Sequence, residues 1–382
     1  MRARRRTTAL AASLVLALAA AGPLAAAPAF AAPAVQRAGA LDTEALAAAL
    51  AGLPDADATA ALVRVGGTDG TWRGSAGVHD LASGAPADPD ARFRAGSTTK
   101  VVTAAAVLRL AAERRIDLNT PIQHYLPGLL GRQFRPITVR QLLNHTSGIP
   151  AGDGLGDTFE EVYAHRYDTL TPQRVAASAG AGQPEFRPGK KQHYLNINYT
   201  FLGLLIEKVT GRSYASEATR LVLAPAGMRD TYFPGTDPRI LGPHNLGYQA
   251  VEQADGTTEF LDVTEWNQAD RFAAGDMIST TADLERLLTS LFKGRIVPEP
   301  QLKEMFTVPA DIEGATYSAG LQRFESAGRV YWVKSGARYG YSSAIAATRD
   351  LSRTLVYSVN STDAKSEDAN PVVIRIIMAA LR

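Results

Sequence analysis

Cysteine is absent from the 382-residue chain, which excludes a disulfide framework, a thiolate nucleophile and a Cys-ligated zinc or iron–sulfur cluster. Histidine is scarce: His79, His124, His145, His165, His193 and His244 form no H-x-x-x-H pair, so a metallohydrolase is not expected and neither metal nor other cofactor is implied. A G-x-S-x-G elbow, which a Ser-His-Asp esterase would use, is also missing. An excess of positive charge is lacking as well. The chain carries 40 basic and 38 acidic residues; removing Arg2, Arg4, Arg5 and Arg6 with a cleaved leader gives 40 − 4 = 36 against 38, and no footprint for nucleic acid remains. Any covalent catalysis must therefore use an oxygen or amine nucleophile.

What is present is enough hydrophobic content, 46%, to bury a real core in two structural units. Residues 1–31 read as an export signal: an arginine cluster, an apolar run over 9–21, then Ala29-Phe30-Ala31 in the form of a signal-peptidase site. Gly22 and Pro23 interrupt the run, which is shorter than the roughly 20 residues of a spanning helix, so no stable membrane anchor is expected. The paired arginines leave the general and twin-arginine routes open, and the expected location is secreted, on the cell-wall side of the membrane. Residues 372–381 are apolar but short and include Arg375, which fits a helix packed on a sheet.

Periodicity predicts a helix over 41–53, strands over 59–65 and 72–78 joined through Thr68-Asp69-Gly70, and strands over 329–334, 341–348 and 354–359 followed by a helix entered at Pro371. Strands at both ends with helices between predict an α/β fold whose antiparallel sheet is built from both chain ends. Its domain would be discontinuous, 41–116 and 271–382, with a mainly helical insert at 117–270 carrying helices over 139–143, 199–209 and 214–223. A pocket is expected where the two meet.

Three short motifs carry chemistry. Ser97-Thr98-Thr99-Lys100 follows Gly96 and opens a run, 101–108, with no polar face, as expected of a helix buried on all sides. At i and i+3 the Lys100 amine can reach the Ser97 hydroxyl, burial and nearby cations such as Lys334 disfavour the ammonium, and the helix N-terminus favours an oxyanion. Ser290-Leu291-Phe292-Lys293 has the same spacing but ends a helix before Gly294, where the lysine faces solvent, and is read as structural. Tyr194-Leu195-Asn196 lies on a loop or helix start; its phenol can relay protons if cations lower its pKa, and its amide can hold a substrate carbonyl while fixing Lys100. Lys334-Ser335-Gly336 is placed at the end of a strand, where the lysine adds charge, Ser335 can hold a carboxylate and Gly336 allows close approach of substrate. With only eight lysines in the chain, the three motifs in this order have a chance expectation of about one in several hundred. His145, in Asn144-His145-Thr146-Ser147-Gly148, is expected to fix a loop by hydrogen bonding, and Tyr331 and Trp332 to pack the sheet.

At these motifs, and at Phe93-Arg94-Ala95-Gly96 and Ala274-Gly275-Asp276-Met277, the chain resembles the penicillin-recognising serine hydrolases, that is, the serine D-alanyl-D-alanine carboxypeptidases and the class C β-lactamases. The resemblance implies a β-lactamase/DD-peptidase-like fold with Ser97 as acylated nucleophile, Lys100 as base, Tyr194 as proton carrier shared with Lys334, Asn196 orienting substrate, and the N–H groups of Ser97 and Ala337 as oxyanion hole. It implies a D-alanyl-D-alanine carboxypeptidase acting on peptidoglycan peptides. The alternatives are a β-lactamase, an esterase, or a non-catalytic sensor of muropeptide or β-lactam. The expected partner is such a peptide or a β-lactam, and a monomer is expected. Where the family's carboxypeptidases place a Thr and an Arg on the terminal carboxylate, this chain has Ala337 and Gln322, with Arg323 and Arg338 adjacent as candidate substrate-binding residues.

Overall fold

The computed structural model describes residues 41–381; the export signal expected at 1–31 lies outside them. Its centre is a six-stranded sheet. The strands are β1 (Ala58–Gly66), β2 (Trp72–Gly77), β3 (Gln322–Ser326), β4 (Arg329–Arg338), β5 (Tyr341–Thr348) and β6 (Thr354–Ser361). Their order is β2-β1-β6-β5-β4-β3, antiparallel throughout, so the first two strands join the last four edge to edge through the β1–β6 pairing. The sheet is built from both chain ends, as its alternating and β-branched segments predict.

Apolar residues on both faces of the sheet force it to be covered twice. On one side pack α1 (Thr43–Leu50) and the last helix, Pro371–Ala380, around Leu46, Val63, Tyr331, Leu355, Val372 and Ile376. Asn370 caps that last helix by accepting from the N–H groups of Val372 and Val373, and Gly52 and Pro54 keep α1 shorter than the 41–53 expected. On the other side lies α2 (Thr99–Ala112), buried from Thr99 to Leu108. It has no polar face because the sheet covers one flank and the helices of the middle region cover the other. Each fully buried Val or Leu in it contributes about 1.5–3 kcal/mol.

The middle region supplies helices at Val139–Leu143, Pro172–Ala181 and α3 (Ile197–Thr210). The helix at Tyr214–Ala218 continues as a π-helical turn over Thr219–Leu223. All share one apolar cluster with α2. A hairpin, Tyr248–Glu252 with Thr258–Asp262, interrupts this helical stretch and was not foreseen. It pairs through Ala250 N–H to the carbonyl of Thr362, so it braces the loop that leaves β6. Among the described residues no helix is long and apolar enough to cross a membrane.

One boundary differs in a way that matters for the site. The strand expected to stop at Lys334 runs on to Arg338, because Lys334, Gly336 and Arg338 continue the buried positions of the alternation and pair with Ile345, Ser343 and Tyr341 of β5. On its other edge β4 pairs with β3 only as far as Val333. Lys334-Ser335-Gly336-Ala337 thus forms a strand segment bordering the cleft.

Candidate active site

Ser97 sits in a single 3-10 turn, Gly96–Thr98, that runs directly into α2. Gly96 adopts φ +52, a left-handed value that glycine accommodates without cost. The turn is pinned to the sheet: Ser343 Oγ donates to the carbonyl of Ala95 at 2.9 Å, and Thr98 and Thr99 hydroxyls bond back to Ala95 and Gly96. One helical turn on, Lys100 is fully buried, and its Nζ lies 3.0 Å from Ser97 Oγ, 2.7 Å from Asn196 Oδ1 and 2.7 Å from the carbonyl of Ala274.

Those three neighbours fix what the amine can do. Burial first, then the charges of Lys334, Arg271 and Lys365, hold Lys100 well below the ordinary lysine range, with Asp276 opposing. A neutral amine has two N–H donors and one lone pair. The Asn196 and Ala274 oxygens can only accept, so they take the two donors; the lone pair is left for the one neighbour that can donate, the Ser97 hydroxyl. The arrangement is that of a base holding its proton donor.

Asn196 stands at the N-terminal boundary of α3 with its side chain turned to Lys100 and not to the helix N–H groups, and the loop before it is held by His145. The buried His145 ring lies 4.5 Å from that of Tyr194, and its Nδ1 accepts from Leu195 N–H at 3.4 Å. His145 is held well below its usual range, and so neutral, by burial and by Lys100 and Lys334. It fixes the loop by hydrogen bonding and packs its ring against Tyr194, in line with the sequence expectation. Tyr194 stands between the two lysines, whose amines lie 5.0 Å (Lys100) and 4.7 Å (Lys334) from its ring centre. The suggestion that cations lower this phenol needs correction: burial dominates and raises it far above the usual tyrosine range, with Ser97 and Arg271 opposing only in part. Tyr194 therefore rests protonated, suited to passing a proton on but not to drawing one from Ser97 as a resident phenolate. Lys334 Nζ donates to the carbonyl of Ser335 at 2.8 Å, and burial brings its pKa down to about 7.

Gly336 is required by packing. A Cβ there would lie 2.1 Å from the Ala95 oxygen and 2.8 Å from Ser97 N, and one on Gly96 would lie 2.6 Å from Ala337 N. The peptide groups of residues 97 and 337 are brought together by two side-chain-free positions. Gly336→Ala is expected to push β4 off the Ser97 turn, lowering kcat/KM at least about 100-fold and stability by about 1–3 kcal/mol; steady-state kinetics with thermal unfolding would check it.

Ser97, Tyr194, Lys334, Ser335, Gly336 and Ala337 all line one open cleft. Lys100 and Asn196 stand behind them. The two arginines expected on substrate are placed otherwise. Arg338 is buried and its guanidinium is taken by Asp270 (3.2 Å), which also holds Arg271 at 3.1 Å. Arg323 pairs with Glu325 two residues along the edge strand β3. Neither lines the cleft, since a guanidinium satisfied by a carboxylate has no reason to reach for another anion. Ser290 lies on the helix Thr281–Phe292, whose end is capped by exposed Lys293, remote from this cleft. Among the described residues no group of His, Asp and Glu could hold a metal. Sequence reasoning did not assign the Ala274 carbonyl, Tyr317, whose ring lies 4.9 Å from that of Tyr194, or Lys365, on the cleft wall.

The Beta-lactamase family model matches residues 46–378. Protein flp of Staphylococcus aureus (strain N315) is 32% identical over 213 residues, 55% of this chain, and the match spans 40% of that protein's length. Penicillin-binding protein 4* of Bacillus subtilis is 26% identical over 312 residues, covering 78% of this chain and 67% of that protein. Among solved structures, a D-stereospecific amidohydrolase from Streptomyces sp. superposes with a TM-score of 0.74 at 33% identity, over 87% of this chain and 97% of the other.

Proposed function

The chain belongs to the beta-lactamase family of serine hydrolases, and we propose that this member is an exported D-alanyl-D-alanine carboxypeptidase working through an acyl-Ser97 intermediate. The observation that carries the catalytic part is the buried Lys100 amine, 3.0 Å from Ser97 Oγ and 2.7 Å from each of two oxygens that can only accept, those of Asn196 and Ala274. The likeness to a penicillin-binding protein over 78% of the chain supports the substrate class, and the arginine-led apolar N-terminus supports export.

In this reading Ser97 Oγ attacks the carbonyl carbon of the penultimate D-alanine while its proton passes to Lys100. The oxyanion forms against the N–H groups of Ser97 and Ala337. Collapse breaks the C–N bond, and the departing amine takes the proton through the Tyr194 phenol, leaving an ester on Ser97. Water, deprotonated by the same Lys100–Tyr194 pair, then cleaves the ester and restores the hydroxyl.

A second reading, hydrolysis of D-amino acid amides, is favoured by the Streptomyces amidohydrolase likeness at 33% identity. Offering the protein a diacyl-L-Lys-D-Ala-D-Ala peptide and a D-phenylalanine amide, with release of D-alanine and of ammonia followed, separates the two. Faster turnover of the peptide, and a benzylpenicillin adduct on Ser97 by intact mass, is the expected result; turnover of the amide alone would reverse the assignment.

A further inference from the structure

Between β6 and the last helix, residues 362–370 fold over the mouth of the cleft, and Asp363, Ala364, Lys365, Ser366, Asp368 and Asn370 all line it. The start of this loop is braced from behind, Thr362 by Ala250 and Thr362 N–H by the carbonyl of Asp57. Lys365, partly buried, sends its Nζ to the carbonyl of Ala337 at 2.8 Å. Ala337 is the residue whose nitrogen abuts the Gly96-Ser97 turn, so this ammonium stands beside the reacting centre.

Its bonding is incomplete. A lysine ammonium has three donors, and the Ala337 carbonyl accounts for one. Among the described residues no carboxylate is paired with it: Asp270 is spent on Arg338 and Arg271, Asp363 is exposed and accepts from Gln249 at 3.3 Å, and Asp368 is exposed on the rim. Burial first, then the charges of Arg271 and Arg338, hold Lys365 well below the ordinary lysine range, with Asp270 opposing, so the amine carries its proton best when an anion arrives beside it. A part-buried cation without a counterion is costly, and an arriving anion removes the cost. Lys334, the other ammonium on the wall, lies over the Tyr194 ring and belongs to the proton path; Lys365 has no such task.

We propose that Lys365 anchors a carboxylate carried by the leaving group of the substrate, so that the site selects acids over the matching neutral amides and esters. This rests on the acyl-Ser97 reading, in which the departing D-alanine bears that carboxylate, and it works against substrates that would present a free ammonium to the same wall.

The test is a ratio. Two pairs of acyl donors are compared on the full-length protein: the D-Ala-D-Ala peptide against its C-terminal carboxamide, and 3-carboxyphenyl phenylacetate against phenyl phenylacetate. The wild type is expected to favour the acid of each pair by about 10–100-fold in kcat/KM, the worth of one charge-assisted hydrogen bond. Lys365→Met should bring both ratios near one, chiefly through KM, and Lys365→Arg should restore most of the preference. A Lys365→Met protein that loses acid and neutral turnover in parallel, keeping the ratio, would overturn the proposal, because a loop that merely lost its shape would do that. If neither peptide is hydrolysed, the carboxypeptidase reading fails, while the ester pair still decides whether Lys365 reads the carboxylate.

Discussion

Ser97→Ala is expected to abolish both hydrolysis and the penicillin adduct, with turnover falling on the order of 10⁴–10⁶-fold, the scale seen when a nucleophile is removed from a concerted unit. The loss should come without unfolding. The hydroxyl is not a structural tie: the turn is held by Ser343, Thr98 and Thr99 bonding to Ala95 and Gly96, and those contacts survive. Intact mass after incubation with benzylpenicillin gives the first readout and D-alanine release the second. Ser290→Ala provides the internal control, since the same S-x-x-K spacing there ends a helix with Ser290 packed inward and Lys293 exposed at the cap, outside the cleft lining; it should change neither. An adduct that persists in Ser97→Ala would move the nucleophile elsewhere.

Lys100→Met should cost nearly as much, about 10³-fold or more, because a base and its nucleophile act as one unit. The methionine fills the space of the lysine stem, while the Asn196 and Ala274 oxygens lose their donors, a penalty of about 1–3 kcal/mol per orphaned group. That loss is offset in part because no amine need be buried. The pH profile carries the finer test. Lys100 works as the neutral amine, so acylation rises with pH as its proton leaves, along a limb well below the ordinary lysine range. Burial brings Lys334 down to about 7. As pH climbs past that value Lys334 loses the charge that steadies the Tyr194 side of the site, and the rate should fall. A bell is expected in the wild type, with its acid limb missing in Lys100→Met. A wild-type rate that keeps climbing to pH 10 would mean the base titrates as an unperturbed lysine.

Much of this architecture was readable before any coordinates. The alternation in β1, β2 and β5 located those strands within a residue or two, and the absence of any polar face after Thr99 marked α2 as wrapped on all sides. Ser97 and Lys100 were legible because helix geometry fixes what lies three residues apart. The rest depended on contacts that spacing cannot encode. Residues 329–338 looked like a strand ending at a lysine, because Lys334 and Gly336 sit at inward positions where an apolar residue would be expected. They face inward because the site needs a charge and a bare backbone there. Arg338 looked available to substrate until Asp270, far away in sequence, turned out to hold it. Lys365 lies in a polar stretch, Asp363-Ala364-Lys365-Ser366, that reads as an ordinary connector; only its bond to the Ala337 carbonyl shows that it is folded inward. Tyr194 lines the cleft, but its burial, which raises the phenol, outweighs the cations that would lower it.

The pairing of β1 with β6 joins the first strand of the sheet to the last one the chain contributes. A ribosome releases residue 97 early, with its amine one turn behind it, yet the strand that carries Lys334 and the bare backbone beside Ser97, and the final strand against which β1 must zip, emerge near the close of synthesis. Until then the hydroxyl has no dry wall at its back and water competes for every partner it has. The growing polypeptide is thus chemically mute, and only a finished, closed molecule can cut.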